Sequence, residues 1–492
     1  MARTNVPVAH PEPKTHEGAV AARQRPLVEL ERTVASCLLW EQNFYEAGDS
    51  VAARIAQLCE AVPAQAIADL AIKARFDYKL RHAPLWLCRQ LIRLHTGEVV
   101  AGTIAKVVHR PDEAAELVSL YWQHNTDRLG RRQKHRMLPA AMKRGLARAF
   151  RQWDAYQLAK WNRENAIELR HVLFLVHANP LSEGSVTKVP ATRFRGPVLR
   201  TVGGKADLWD RLIRDALPTP DTWEVGLSAA RTDEDKRAAW TRLLENRKLP
   251  YLALLQNVRN LHDVGVAKSL VGEALVAGAP ESWALPYRFL AAAKACPAWE
   301  DLLDAALLAV RPETKLPGET CLVLDVSGSM RNQLSAKSTL DRIDAACGLA
   351  ILARQRSEAV TIYATGGNDR TQKHATMLIP ARRGMALRDA IRASFDQLGG
   401  GGIFLVQCMS YIAAQERRQF QRVLVFTDEQ DCDITLKPST AVRLGTAGNY
   451  IQNVAPYKPG IASDGGWTRI NGWSERALDW LVAEEAIAQA NS

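Results

Sequence analysis

The chain has 492 residues, 47% of them hydrophobic and 24% charged, the composition of a folded protein with more than one core; a wholly disordered chain is excluded. No apolar run approaches the roughly 18 residues needed to cross a bilayer, so no membrane partner is expected. The net charge is +11, and nearly all the excess lies before residue 319, with 45 basic and 35 acidic residues there against 19 and 18 after it.

Residues 1–24, polar and Pro-containing, lack the apolar core of a signal peptide and are expected to be a disordered leader. The eight cysteines are scattered with no C-x-x-C, which points to buried, reduced thiols and a cytoplasmic location. From 25 to 315 the sequence reads as helix after helix. Leu30, Val34, Cys37 and Leu38 share one helical face, and similar patterns recur to "LPYLALLQNVRNL". Pro63, Pro84, Pro111, Pro139 and Pro250 stand where helices should begin. Alternating strand patterns are nearly absent, so the expected architecture is an α-solenoid of irregular, HEAT-like repeats. The stretch 179–204, rich in Pro, Gly, Ser and basic residues, is expected to be a loop.

Between Arg128 and Arg151 stand nine basic side chains and no acid, among them Arg128, Arg131, Arg132, Lys134, Arg136, Lys143 and Arg144. Such a block neutralises phosphates, although a solvated helix face has the same composition. Lys160, Arg163, Arg170, His171 and His177 follow and extend the candidate surface. Tyr156 and Trp161 can stack bases, but core packing is the preferred reading for both.

The pattern changes near "RPETKLPGET", read as a linker; residues 316–492 form a second domain. "CLVLDV", "AVTIYAT", "RVLVFTD" and "NYIQNVA" read as strands. Helices are expected over 340–354, 385–398 and 403–415, with a last one in "SERALDWLVAEEAIAQA". Strands alternating with helices predict an α/β, doubly wound, Rossmann-like parallel sheet. Ligands of such sheets bind at the carboxyl ends of strands, where Asp325 and Asp428 both fall. With Ser327 and Ser329 on alternate positions of the turn, these oxygens suit a hard divalent cation such as Mg²⁺.

D-x-S-x-S after a buried strand, with "FTD" downstream, resembles the metal-ion-dependent adhesion site (MIDAS) of von Willebrand factor A domains. That resemblance implies Asp325, Ser327, Ser329 and Asp428 as metal ligands. It also implies a Thr from a Gly-rich loop, but "LGGGGIFLVQC" has Gly402 and Ile403 at that place. The segments "ERTVASCLLWEQNFYEAGDSVAARI", "AIKARFDYKLRHAPLWLCRQL", "MLPAAMKRGLARAFRQWDAYQLAKWNR", "LRHVLFLVHANP" and "TWEVGLSAARTDEDKRAAWTRLL" resemble the TROVE module. A TROVE module followed by an A domain is the order of the Ro 60 kDa autoantigen family. The resemblance implies a monomeric ring of helical repeats that binds small noncoding Y-like RNAs and the single-stranded ends of misfolded RNAs. It further implies work beside an exoribonuclease, reached through the RNA. His177 in "LVHANP" matches the family's H-x-x-P stretch, and equally fits a helix C-cap.

A metal-dependent protein–protein adhesion scaffold is the alternative, which the basic block leaves incomplete. Enzymatic activity is not expected. Two acids and two serines are too few for two-metal nuclease chemistry, and no P-loop, H-E-x-x-H or G-x-S-x-G motif is present.

Overall fold

The structure, a computed structural model, describes residues 26–36, 48–78, 80–123, 137–162, 167–179, 205–218, 223, 227, 230–282, 284–311, 315–334, 338–436, 440–455, 466–471, 478, 481 and 485. Arg128, Arg131, Arg132, Lys134, Arg136 and Arg163 lie outside them, as do the leader and the loop expected after Asn179. The described chain divides into two compact units, one of residues 26–34 and 49–229 and one of the residues from 230 onward, with which 35–36 and 48 are grouped.

The first unit is helical: α1 (Pro26–Ser36), α2 (Gly48–Glu60), α3 (Ala64–Phe76), α4 (His82–Leu94), α5 (Glu98–Val107), α6 (Pro111–Gln123), α7 (Ala140–Gln152), α8 (Ala155–Trp161), α9 (Leu169–Val176) and α10 (Lys205–Ile213). Pro63 and Pro139 are the N-caps of α3 and α7, and Pro111 opens α6, as the missing N–H of proline favours. The helices bury one stripe each: Val51, Ala52, Ile55 and Cys59 in α2, and Ala141, Met142, Leu146, Ala149 and Phe150 in α7. Polar ties lock the stack. The Trp86 indole donates to the Ala52 carbonyl at 3.0 Å. The fully buried Glu113 accepts from the backbone N–H groups of His109 and Arg110 and faces the Arg75 guanidinium at 2.8 Å. The hydrogen bonds from His109, Arg110 and Arg75 all reach Oε2, while Oε1 has only the charge of Arg75 beside it and no hydrogen bond.

The second unit begins with α11 (Asp233–Glu245), α12 (Tyr251–Asp263), α13 (Lys268–Gly278), α14 (Pro286–Ala295) and α15 (Glu300–Ala309). It continues as β1 (Leu316–Asp325), α16 (Arg342–Arg356), β2 (Ser357–Asn368), β3 (Lys373–Ile379), α17 (Gly384–Leu398), α18 (Leu405–Glu416), β4 (Phe420–Thr427), β5 (Gly445–Asn453) and β6 (Thr468–Asn471). The sheet order is β3-β2-β1-β4-β5-β6. All neighbours are parallel except β2 and β3, which are antiparallel. The expected doubly wound sheet is therefore present, with an antiparallel edge strand that the sequence did not announce. β1 also starts earlier than "CLVLDV", so "LPGET" is strand rather than linker.

Along β1 and β4 successive side chains point to opposite faces. Cys321, Val323, Val423 and Val425 pack with Leu405, Cys408, Met409 and Ile412 of α18. Leu322, Leu324, Leu424 and Phe426 are buried on the other face. Both strands are thus covered on both sides, which explains their unbroken apolar runs. The helices before β1 are tied to the α/β part: Lys294 pairs with Asp344 at 2.9 Å, Arg388 with Glu300 at 2.9 Å, and the Met385 N–H donates to Asp304 at 2.7 Å.

Candidate functional site

β1 and β4 lie side by side and are reached by crossovers running in opposite directions, so the crevice at their carboxyl ends is the switch point of the sheet. Asp325 ends β1 and Asp428 follows β4, both fully buried. The Asp325 carboxylate accepts from the Ser327 N–H at 2.8 Å through Oδ1 and from the Thr427 hydroxyl at 2.6 Å through Oδ2. The Ser327 and Ser329 hydroxyls stand 3.2 Å apart. Gly328 sits against the Gly400 carbonyl, where a Cβ would come within 2.8 Å, so the two loops meet only because this residue is glycine. Burial, with the Asp428 carboxylate close by, pushes the Asp325 carboxyl up to about 7. The sequence-predicted quartet of Asp325, Ser327, Ser329 and Asp428 is therefore brought to one edge of the sheet.

Two residues in this site were not among the expected ligands. Thr427, the Thr of "FTD", holds Asp325. Arg342, the first residue of α16 and 2% exposed at its side chain, forms an ion pair with Asp428 at 2.9 Å and reaches the Ser329 carbonyl at 3.3 Å. The Gly-rich loop supplies no oxygen side chain. Ile403 is fully buried in the apolar core, and a Cβ on Gly402 would fall 2.0 Å from the Cys432 sulfur. A hard divalent ion needs several free oxygens. Here both Asp325 oxygens are engaged, Asp428 is balanced by an arginine, the Thr427 hydroxyl is spent on Asp325, and the Gly-rich loop adds no hydroxyl. This donor set does not fit a resident Mg²⁺.

The basic candidates of the first unit gather on α7 and α9. The buried stripe of α7 turns Lys143, Arg144, Arg148 and Arg151 to the opposite, half-exposed face. Gly145 allows α7 to lie close on α5, since a Cβ there would meet the Ala101 carbonyl at 2.8 Å. Arg148 pairs with Glu98, and Arg151 donates to the Asn179 carbonyl at 2.7 Å. His177 ends α9 in the left-handed region at φ 52°, so the C-cap role is real. Burial and, to a lesser degree, the Lys143 ammonium hold its imidazole below the ordinary value. His171 is occupied locally, its Nδ1 accepting from the Glu168 N–H at 3.3 Å, and Arg170 pairs with Glu168 at 2.5 Å. Lys160 lies 5.9 Å from the ring centre of Tyr156, which is 50% exposed. Trp161 is half-buried beneath the Arg110 guanidinium at 3.6 Å. Neither aromatic is core, contrary to the preferred sequence reading.

The architecture defines a class, a helix-rich protein with a doubly wound α/β region whose switch point carries acids and hydroxyls. Residues 213–397, under half of the chain, match the family model of the TROVE domain. The Ro (RSR) protein of Deinococcus radiodurans has a similar fold, with a TM-score of 0.53 at 15% identity over 93% of this chain and 99% of that one. The chain thus carries a stretch similar to the TROVE domain within a fold similar to that of a Ro protein. An aerotolerance-related membrane protein of Bacteroides fragilis also aligns, at 15% identity over 34% of this chain and 98% of that one, but its TM-score of 0.24 carries no argument. Among the described residues no helix is long and apolar enough to cross a membrane.

Proposed function

We propose that the protein binds RNA through the outward face of α7 and its neighbours, as the likeness to the TROVE domain and to a Ro protein suggests. The observation that carries this reading is the division of α7 into an apolar stripe and a face of four cations. Backbone phosphates are the matching partner of such a face. The adjoining sequence adds Arg128, Arg131, Arg132, Lys134 and Arg136 to the same stretch of chain.

The finer reading rests on the family resemblance. In it the ligands are small noncoding Y-like RNAs and the single-stranded ends of misfolded RNAs, the helical repeats close into a ring, and an exoribonuclease joins through the RNA. The C-terminal region acts in the cytoplasm as a von Willebrand A-like domain, a reading favoured by its strand order and by D-x-S-x-S at the switch point. The test compares one structured RNA with a 3′ single-stranded tail and the same RNA trimmed blunt. Tighter binding of the tailed form in a gel-shift titration is expected. Equal affinity would sink the capture of ends while leaving phosphate binding intact.

A further inference from the structure

We propose that the Arg342 guanidinium is the resident cation of the strand-end site, and that the α/β region holds this loop cluster without a divalent ion. Asp325 and Asp428 are both fully buried at the ends of neighbouring strands. Two carboxylates so placed are relieved by a proton on one of them or by a positive charge beside them. Arg342 supplies it from inside the fold. One nitrogen bonds the Asp428 carboxylate at 2.9 Å and the Ser329 carbonyl at 3.3 Å, so it ties the turn after β1 to the turn after β4. Those are the two turns a metal would bridge.

The position of Arg342 supports the same reading. It is the first residue of α16, where the helix dipole disfavours a cation. Helix capping does not account for it, because Asp341 caps α16 by accepting from the Asp344 N–H at 2.7 Å. What accounts for an arginine there is Asp428. The start of the helix is itself pinned, with Arg392 bonded to Asp341 at 3.0 Å and to Asp344 at 2.8 Å. The loop that would supply a further oxygen is closed to one, since Gly402 abuts Cys432 and Ile403 belongs to the core.

An arginine is always charged and is not exchanged with solvent ions. Being 2% exposed, it presents no open coordination position to an acid from another protein. The adhesion reading of this chain therefore loses its chemistry, whereas the RNA reading does not depend on the site.

The full chain is titrated with Mg²⁺ and Mn²⁺ by calorimetry and melted in EDTA and in Mg²⁺. The parent should take up neither ion saturably and melt at one temperature in both. Arg342→Ala should melt lower in EDTA and recover part of the loss in Mg²⁺, because Asp428 is left open to a metal. Arg342→Ala combined with Asp428→Asn should regain stability without metal, and it serves if the single variant does not fold. Stoichiometric Mg²⁺ binding by the parent, abolished by Asp325→Ala, overturns the proposal. So does an Arg342→Ala protein that melts as the parent does.

Discussion

At the scale of single residues, partners decide which cations are available to a ligand. Arg148 is answered by Glu98 and Arg151 by a backbone carbonyl, whereas Lys143 and Arg144 have no carboxylate within 4.0 Å among the described residues. Lys143→Glu combined with Arg144→Glu should therefore weaken RNA binding at least about tenfold and flatten the log–log salt slope by about 2, for unrelated RNAs alike. Filter binding across a salt series reads both quantities. An unchanged slope would mean that RNA does not touch this face. The thiols give a second prediction. Seven cysteines are buried, and burial raises Cys59 to about 12 and Cys408 to about 11. A thiolate is the reactive form. A thiol-reactive dye at pH 8 should leave these seven unmodified in the native protein and react with all eight cysteines after denaturation.

At the scale of elements, position depends on a few close approaches. Gly145 sits where α7 crosses α5, with Ile104 and the Ala101 carbonyl within 2.8 Å of any added Cβ. Gly145→Ala should destabilise the first unit by about 1–3 kcal/mol, and should lower RNA affinity because the basic face moves with its helix. A denaturant titration together with a binding curve checks both; loss of neither would show that the crossing has slack. The same elements show what was legible in the sequence. Helix starts at Pro63, Pro111 and Pro139 were readable because proline acts locally, and the strands ending at Asp325 and Thr427 were readable because burial on both faces leaves an apolar run. The edge strand β3 was not, since "KHATMLI" lies half-buried at the margin of the sheet and follows no clean alternation. Arg342 was not readable either, because its partner lies 86 residues away and no local pattern marks it. The quartet of acids and serines was legible, but the cation that balances Asp428 was not.

At the scale of the molecule, charge is divided by region. The excess of basic residues lies almost wholly before residue 319, and the acid-and-hydroxyl cluster lies after it. Substitutions at Arg342 or Asp325 should therefore alter melting and leave RNA affinity near that of the parent, whereas substitutions of the cations Lys143 and Arg144 on α7 should do the reverse. Measuring both properties on both sets of variants tests the division. A strand-end variant that folds but loses RNA would show that the two activities share a surface.

One further tie sets an order in time. Arg422 of β4 is fully buried and bonds the Glu485 carboxylate through Nε at 2.9 Å and Nη2 at 2.7 Å, while the Tyr450 hydroxyl reaches the same carboxylate at 3.2 Å. Glu485 stands 63 positions after Arg422 and is buried, as are Leu478 and Leu481. While the chain is being made, β4 leaves the ribosome well before its counter-ion does. A bare guanidinium cannot be sealed into an apolar interior, so the centre of the sheet has to wait for the segment that carries Glu485. The helices that carry the basic face precede all of this in the chain. A nascent chain can thus fold its cationic surface, and expose it to nucleic acid, before the second half has closed.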